Sequence, residues 1–135
     1  MIHVIMGLKG SGKTKKLIDA VHQTVDTAAG DVVCIEYGKK LTYDVNYRAR
    51  LVDSQEYGIS NPDMLKGFLS GLHAGNFDIT NVFIDNLYKT IGNDKVAGED
   101  FIVWCAKFAA DNNMEITITI SEDPAEASEV MKQYL

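Results

Sequence analysis

Apolar residues along this chain follow two rhythms. "IHVIM" (2–6), "VVCIEY" (32–37) and "ITNVFIDNL" (79–87) are short apolar runs rich in β-branched residues, and each predicts a buried strand. "MEITITI" (114–120) alternates apolar and polar positions and predicts a fourth. Between these runs the period lengthens. From Lys13 the residues Leu17, Ile18, Val21 and Val25 recur at helical spacing, and the helix is expected to stop near "TAAGD" (27–31) at Gly30. "PDMLKGFLSGLHAG" (62–75) predicts a helix capped by Asn61 or Ser60, with Pro62 in its first turn. "GEDFIVWCAKFAADNN" (98–113) predicts another, its apolar face made by Phe101, Trp104, Cys105, Phe108 and Ala109. "DPAEASEVMKQYL" (123–135) predicts a closing helix with Asp123 as N-cap and Pro124 at its first position. Residues 38–62 keep neither rhythm; part of this stretch is expected to pair as edge strands.

Strands alternating with helices imply right-handed βαβ crossovers. The expected fold is α/β, a three-layer sandwich around a mostly parallel sheet of four to five strands. At 135 residues, with no repeat and no composition shift, the chain reads as a single domain over 1–135. Hydrophobic content of 46% and charged content of 24% are ordinary for a globular protein. A formal charge of −6 argues against a nucleic-acid partner. Cys34 and Cys105 sit in apolar runs without metal spacing and read as buried thiols. No apolar run approaches the length of a membrane span, and no leader pattern opens the chain, so the cytoplasm is the expected compartment.

Candidate chemistry lies between the first strand and the first helix. "GLKGSGKT" (7–14) matches G-x-x-x-x-G-K-[ST] through Gly7, Gly12, Lys13 and Thr14. Residue frequencies alone produce the four fixed positions in roughly one chain of this length in two hundred. Gly7, Gly10 and Gly12 free the backbone to curl, so that the N–H groups of Gly7, Leu8, Lys9, Gly10, Ser11, Gly12, Lys13 and Thr14 can surround an anion. The helix N-terminus adds partial positive charge. Lys13 is the candidate to reach the β- and γ-phosphates, and the Thr14 hydroxyl is a candidate Mg²⁺ ligand. Asp85 closes the apolar run "VFID" and is the second candidate Mg²⁺ ligand; a turn cap is its structural alternative.

With these motifs the chain resembles the P-loop NTPase superfamily over its whole length. The resemblance implies ATP and Mg²⁺ as cofactors. "NLY" follows Asp85 and no N-K-x-D occurs, so a guanine-specific switch is disfavoured; Leu8 stands where ParA/MinD-like loops carry a lysine. Two arginines are too few for the clamp of a nucleoside monophosphate kinase, and two cysteines too few for the zinc site of thymidine kinase. The pattern is most similar to a compact RecA-like ATPase core. That resemblance makes Glu36, at the end of the second strand, the candidate base that activates water, the alternative being a solvated loop carboxylate. Asn86 holds the place where many such ATPases carry glutamate. Ser121 is a candidate γ-phosphate sensor. Arg48 and Arg50 are candidate arginine fingers acting in trans, or the exposed face of an edge strand. Tyr37, Tyr43, Tyr47 and Tyr57 are candidates to stack a base or fill core. His3, His22 and His73 are scattered and suggest no metal site.

The expected function is therefore an Mg²⁺-dependent slow ATPase coupling nucleotide state to a protein partner or to self-assembly. Two alternatives stand beside it: a small-molecule kinase with its acceptor pocket in 38–62, and a nucleotide-binding module that hydrolyses nothing.

Overall fold

The structure, a computed structural model, describes residues 1–41, 44–45 and 48–135; Tyr43 and Tyr47 lie outside them. Strands β1 (Ile2–Met6), β2 (Asp31–Glu36), β3 (Ala49–Asp53), β4 (Ile79–Ile84) and β5 (Glu115–Ile120) form one sheet in the order β1-β5-β4-β2-β3. Every neighbouring pair is parallel, so all five carboxyl ends share one edge. Helices α1 (Lys13–Thr27), α2 (Pro62–Gly75), α3 (Leu87–Ile91), α4 (Lys95–Asp111) and α5 (Glu129–Lys132) complete the α/β fold.

The chain steps from β1 to β2 in one direction across the sheet and from β3 to β4 to β5 in the other. Right-handed crossovers then put α1 on one face and α2 and α4 on the opposite face. The two apolar clusters have this division. Leu17 and Val21 of α1 pack with Val32, Cys34 and Phe83. Leu65 and Leu69 of α2 and Phe101, Ile102 and Cys105 of α4 pack with Val33, Ile35, Val82, Ile84 and Ile118. Strand period two separates the sets. It also carries Glu36 to the same face as Cys34, and Asp85 to the same face as Phe83, both beneath the start of α1. The outer edge of β1 is covered by the C-terminal segment, where the Val4 amide donates to the Tyr134 carbonyl at 2.7 Å.

Local signals explain most boundaries. Asn61 caps α2 by accepting from the Met64 amide, with Pro62 inside the first turn. Four expectations need correction. Helix α1 ends at Thr27, before Gly30. Gly30 serves a close approach instead: a Cβ there would lie 2.1 Å from the Asp78 carbonyl oxygen and 2.6 Å from Thr80 Cγ2. The run expected to be strand over 79–87 stops at Ile84, because Asn86 turns left-handed (φ 60°) and starts α3. Helix α4 begins at Lys95 rather than 98, since Asp94 accepts from the Val96 and Ala97 amides. The closing helix is broken. Asp123 caps a 3-10 turn over Pro124–Glu126, Ala127 is extended and buried, and Ser128 caps the short α5.

The expected edge strand in 38–62 is β3, which pairs with β2 from Val32–Ala49 to Glu36–Asp53. Ala49 is buried while Arg48 and Arg50 on either side are exposed. No helix among the described residues is long and apolar enough to cross a membrane.

Candidate functional site

A sheet whose connections diverge in opposite directions leaves a crevice at the carboxyl ends of its strands. Here the crossover leaving β1 runs over one face and that leaving β4 over the other, in opposite directions across the sheet, and a cavity of about 540 Å³ opens at that edge. It is lined from four strand ends: Lys9, Gly10, Lys13 and Thr14 follow β1; Glu36, Tyr37, Lys40 and Leu41 end or follow β2; Asp85, Asn86, Tyr88, Lys89 and Asn93 follow β4; Ser121 follows β5. Its volume is within the range of small-molecule and cofactor sites.

The loop over 7–14 is folded on itself. The Ser11 amide donates to the Leu8 carbonyl at 3.0 Å, and Gly10 and Gly12 are both at φ 87°. A Cβ on Gly7 would fall 2.2 Å from Ser11 Oγ and 3.1 Å from Ser11 Cβ, so any other residue at position 7 would force the Ser11 side chain to turn aside. Gly12 is the N-cap of α1 and has no side chain to cap it; the first turn holds no acidic residue. The N–H groups of that turn therefore have no side-chain cap from Gly12, and helix N-termini of this kind can accept anions. Lys13 is only 7% exposed and, among the described residues, has neither a hydrogen bond nor an ion pair. Its stem is buried and the residue lines the cavity at the loop.

Asp85 is buried at 8% exposure. Its Oδ1 accepts from the Thr119 hydroxyl at 2.6 Å, and Oδ2 has no partner among the described residues. The Thr119 oxygen in turn accepts from the Asn86 amide at 2.8 Å. Ser121 Oγ donates to Asn86 Oδ1 at 3.1 Å. Thr119 was not singled out by the sequence; its signal is the alternation of "EITITI", which sends 117 and 119 to the α1 face while Ile116, Ile118 and Ile120 fill the other cluster.

Glu36 is 3% exposed, and both its oxygens accept from the Leu41 amide, at 3.2 and 3.1 Å. Burial raises its pKa above the carboxylate norm; the Leu41 and Lys40 amides act against this, and the Asp85 and Asp53 charges add to it. It is thus a buried, loop-holding carboxylate, not the solvated one offered as its alternative. Beneath it Cys34 is pushed up to about 12 by burial and by the Asp85 and Glu36 charges, so it stays a thiol. Tyr88, its hydroxyl buried without a partner among the described residues, is raised to about 12 by burial and by Glu122 and Glu99.

Of the sequence candidates, Lys9, Gly10, Lys13, Thr14, Glu36, Asp85 and Ser121 line one cavity, with Gly7, Leu8, Ser11 and Gly12 completing the loop. Arg48 and Arg50 do not join them. They border a separate cavity with Asp31, Gly71, Gly75 and Asn76, toward the amino ends of β2 and β3, and Arg48 is paired with Asp26. Tyr37 lines the site, whereas Tyr57 packs against Phe68 with ring centroids 5.6 Å apart and the rings tilted by 41°. No group of three or more His, Cys, Asp or Glu that could hold a metal occurs among the described residues. The two metal candidates from the sequence, the Thr14 hydroxyl and the Asp85 carboxylate, both line the cavity, and oxygen donors of this kind suit Mg²⁺, which usually keeps several waters. No known family model matches this chain, and no curated protein matches it.

Proposed function

We propose that this protein is an Mg²⁺-dependent, ATP-binding P-loop protein and a slow ATPase that couples nucleotide state to a protein partner or to self-assembly. The observation that carries the reading is Lys13, whose buried stem brings an ammonium with no hydrogen bond or ion pair among the described residues to the cavity, beside a curled loop at the uncapped start of a 15-residue helix. A phosphate group satisfies all three features at once.

In this reading the 7–14 amides bind the β-phosphate and Lys13 bridges it to the γ-phosphate. Thr14 and Asp85 hold Mg²⁺, which neutralises charge on the phosphate oxygens when bound. Glu36 orients the attacking water and takes its proton. Because its oxygens already accept from the Leu41 amide, unaided turnover is slow. Ser121 senses the γ-phosphate in this reading, through Asn86, whose Oδ1 accepts from its hydroxyl. Arg48 and Arg50 line a different cavity of their own chain, so any finger role falls to a second copy. The two free buried cysteines suit a reducing compartment, the cytoplasm.

The kinase alternative gains little support. Among the described residues of 38–62, Lys40 and Leu41 line the main cavity, and the neighbouring hollow beside Gly38, Lys39, Asp53 and Glu56 holds about 220 Å³.

Phosphate release from ATP and Mg²⁺ across a wide protein concentration range tests the proposal, with Lys13→Ala as control. Slow release that depends on Lys13 and is abolished by Glu36→Gln with binding retained is expected. Turnover per chain that climbs with concentration implicates Arg48 or Arg50 in trans. Absence of release at every concentration removes the ATPase and leaves a binding module.

A further inference from the structure

The proposed metal carboxylate is held in place by a residue on a different strand. Asp85 follows β4 and Thr119 lies near the end of β5, adjacent in register since Ile84 pairs with Ile118. Thr119 is fully buried. Its hydroxyl has one proton to donate and lone pairs to accept with. The proton goes to Asp85 Oδ1 at 2.6 Å, and a lone pair receives the Asn86 amide at 2.8 Å. The hydroxyl therefore ties down two consecutive residues, one of which, Asn86, has the left-handed backbone (φ 60°) that turns the chain into α3.

We propose that Thr119 is the positioning residue of the Asp85 carboxylate, fixing one oxygen and the backbone turn behind it so that the other oxygen is left for the metal of a bound metal–nucleotide complex. This rests on the nucleotide reading above and adds to it the group that sets metal affinity. A carboxylate free to rotate must be ordered each time the metal binds; one already held by a short hydrogen bond is not. Thr117, two residues earlier on the same face, makes no hydrogen bond through its side chain among the described residues and serves as an internal control.

The test is a Mg²⁺ titration of the binding of a fluorescent ATP analogue, repeated in EDTA, for wild type, Thr119→Val, Thr119→Ser and Thr117→Val. Valine replaces the hydroxyl by a methyl of nearly the same size; should it unfold, Thr119→Ala takes its place. The Mg²⁺ concentration at half-saturation is expected to rise roughly 10- to 100-fold in the valine variant. Nucleotide affinity in EDTA should stay within about threefold of wild type, and the serine and Thr117 variants should behave as wild type. Equal half-saturation in wild type and Thr119→Val overturns this inference alone. A rise of equal size in Thr117→Val also overturns it, since a general disturbance of β5 would then suffice. A wild type whose binding ignores Mg²⁺ overturns the metal assignment of Asp85, and this inference with it.

Discussion

Replacing Lys13 by methionine keeps the buried aliphatic stem and removes only the ammonium. Lys13 is 7% exposed and has no hydrogen bond or ion pair among the described residues, so the change orphans no protein group. Removing a charge from a residue that is mostly buried favours folding slightly, while Glu36 and Asp85, which share the cavity, lose a nearby positive charge. These opposing effects leave the stability of the ligand-free protein within about 1 kcal/mol of wild type. Binding is affected quite differently. A charge-assisted hydrogen bond contributes about 1.5–3 kcal/mol, so ATP affinity should fall by roughly 10- to 150-fold. Urea unfolding without ligand gives the first quantity, and calorimetric titration with ATP and Mg²⁺ gives the second. An affinity unchanged within twofold refutes the phosphate role of Lys13. A large loss of stability without ligand refutes the premise that the ammonium has no structural partner.

Two further changes probe the frame around the site. Gly30→Ala drives a Cβ against the Asp78 carbonyl at 2.1 Å, backbone that cannot step aside; destabilisation of about 3 kcal/mol is expected, and a melting temperature equal to wild type would contradict the close-approach account. Glu36→Gln tests burial of the carboxylate through pH. Its folded-state pKa is raised by burial, so below the ordinary carboxylate range it is protonated in both states and costs nothing. As pH rises through the raised value, the unfolded chain ionises more readily and stability is lost. The glutamine variant escapes that loss, so its stability relative to wild type should be greater at pH 7 than at pH 4; a difference that does not vary with pH would show that the carboxyl is solvated.

Much of this fold was legible because its strands are buried and its helices capped by strong local signals. The runs at 2–6, 32–37 and 114–120 became β1, β2 and β5 within a residue, and Asn61–Pro62 fixed the start of α2. What was misread depends on contacts remote in sequence. Gly30 looks like a helix stop, but its role comes from Asp78, nearly fifty residues on. "DPAEASEVMKQYL" has helical propensity throughout, yet Ala127 is extended and buried, and Ser128 restarts the chain with a hydroxyl that bonds to Glu99 of α4 as well as to the Met131 amide. The candidate site divides the same way. The glycine-rich octet and the apolar run ending in Asp85 announce themselves by spacing. Thr119 does not, because a threonine in an alternating strand is an ordinary strand former until the neighbouring strand is known. Nor does spacing reveal that Glu36 clasps the Leu41 amide, or that Arg48 and Arg50 fall toward the other edge of the sheet.

The most direct measurement is a crystal structure of the protein grown with Mg²⁺ and a non-hydrolysable ATP analogue. The account predicts β-phosphate oxygens within hydrogen-bonding distance of the amides of the 7–14 loop and of the Lys13 ammonium, with the metal between Thr14 and Asp85. A nucleotide bound elsewhere, or a loop that keeps its present form with no phosphate in it at saturating analogue, would contradict the central claim.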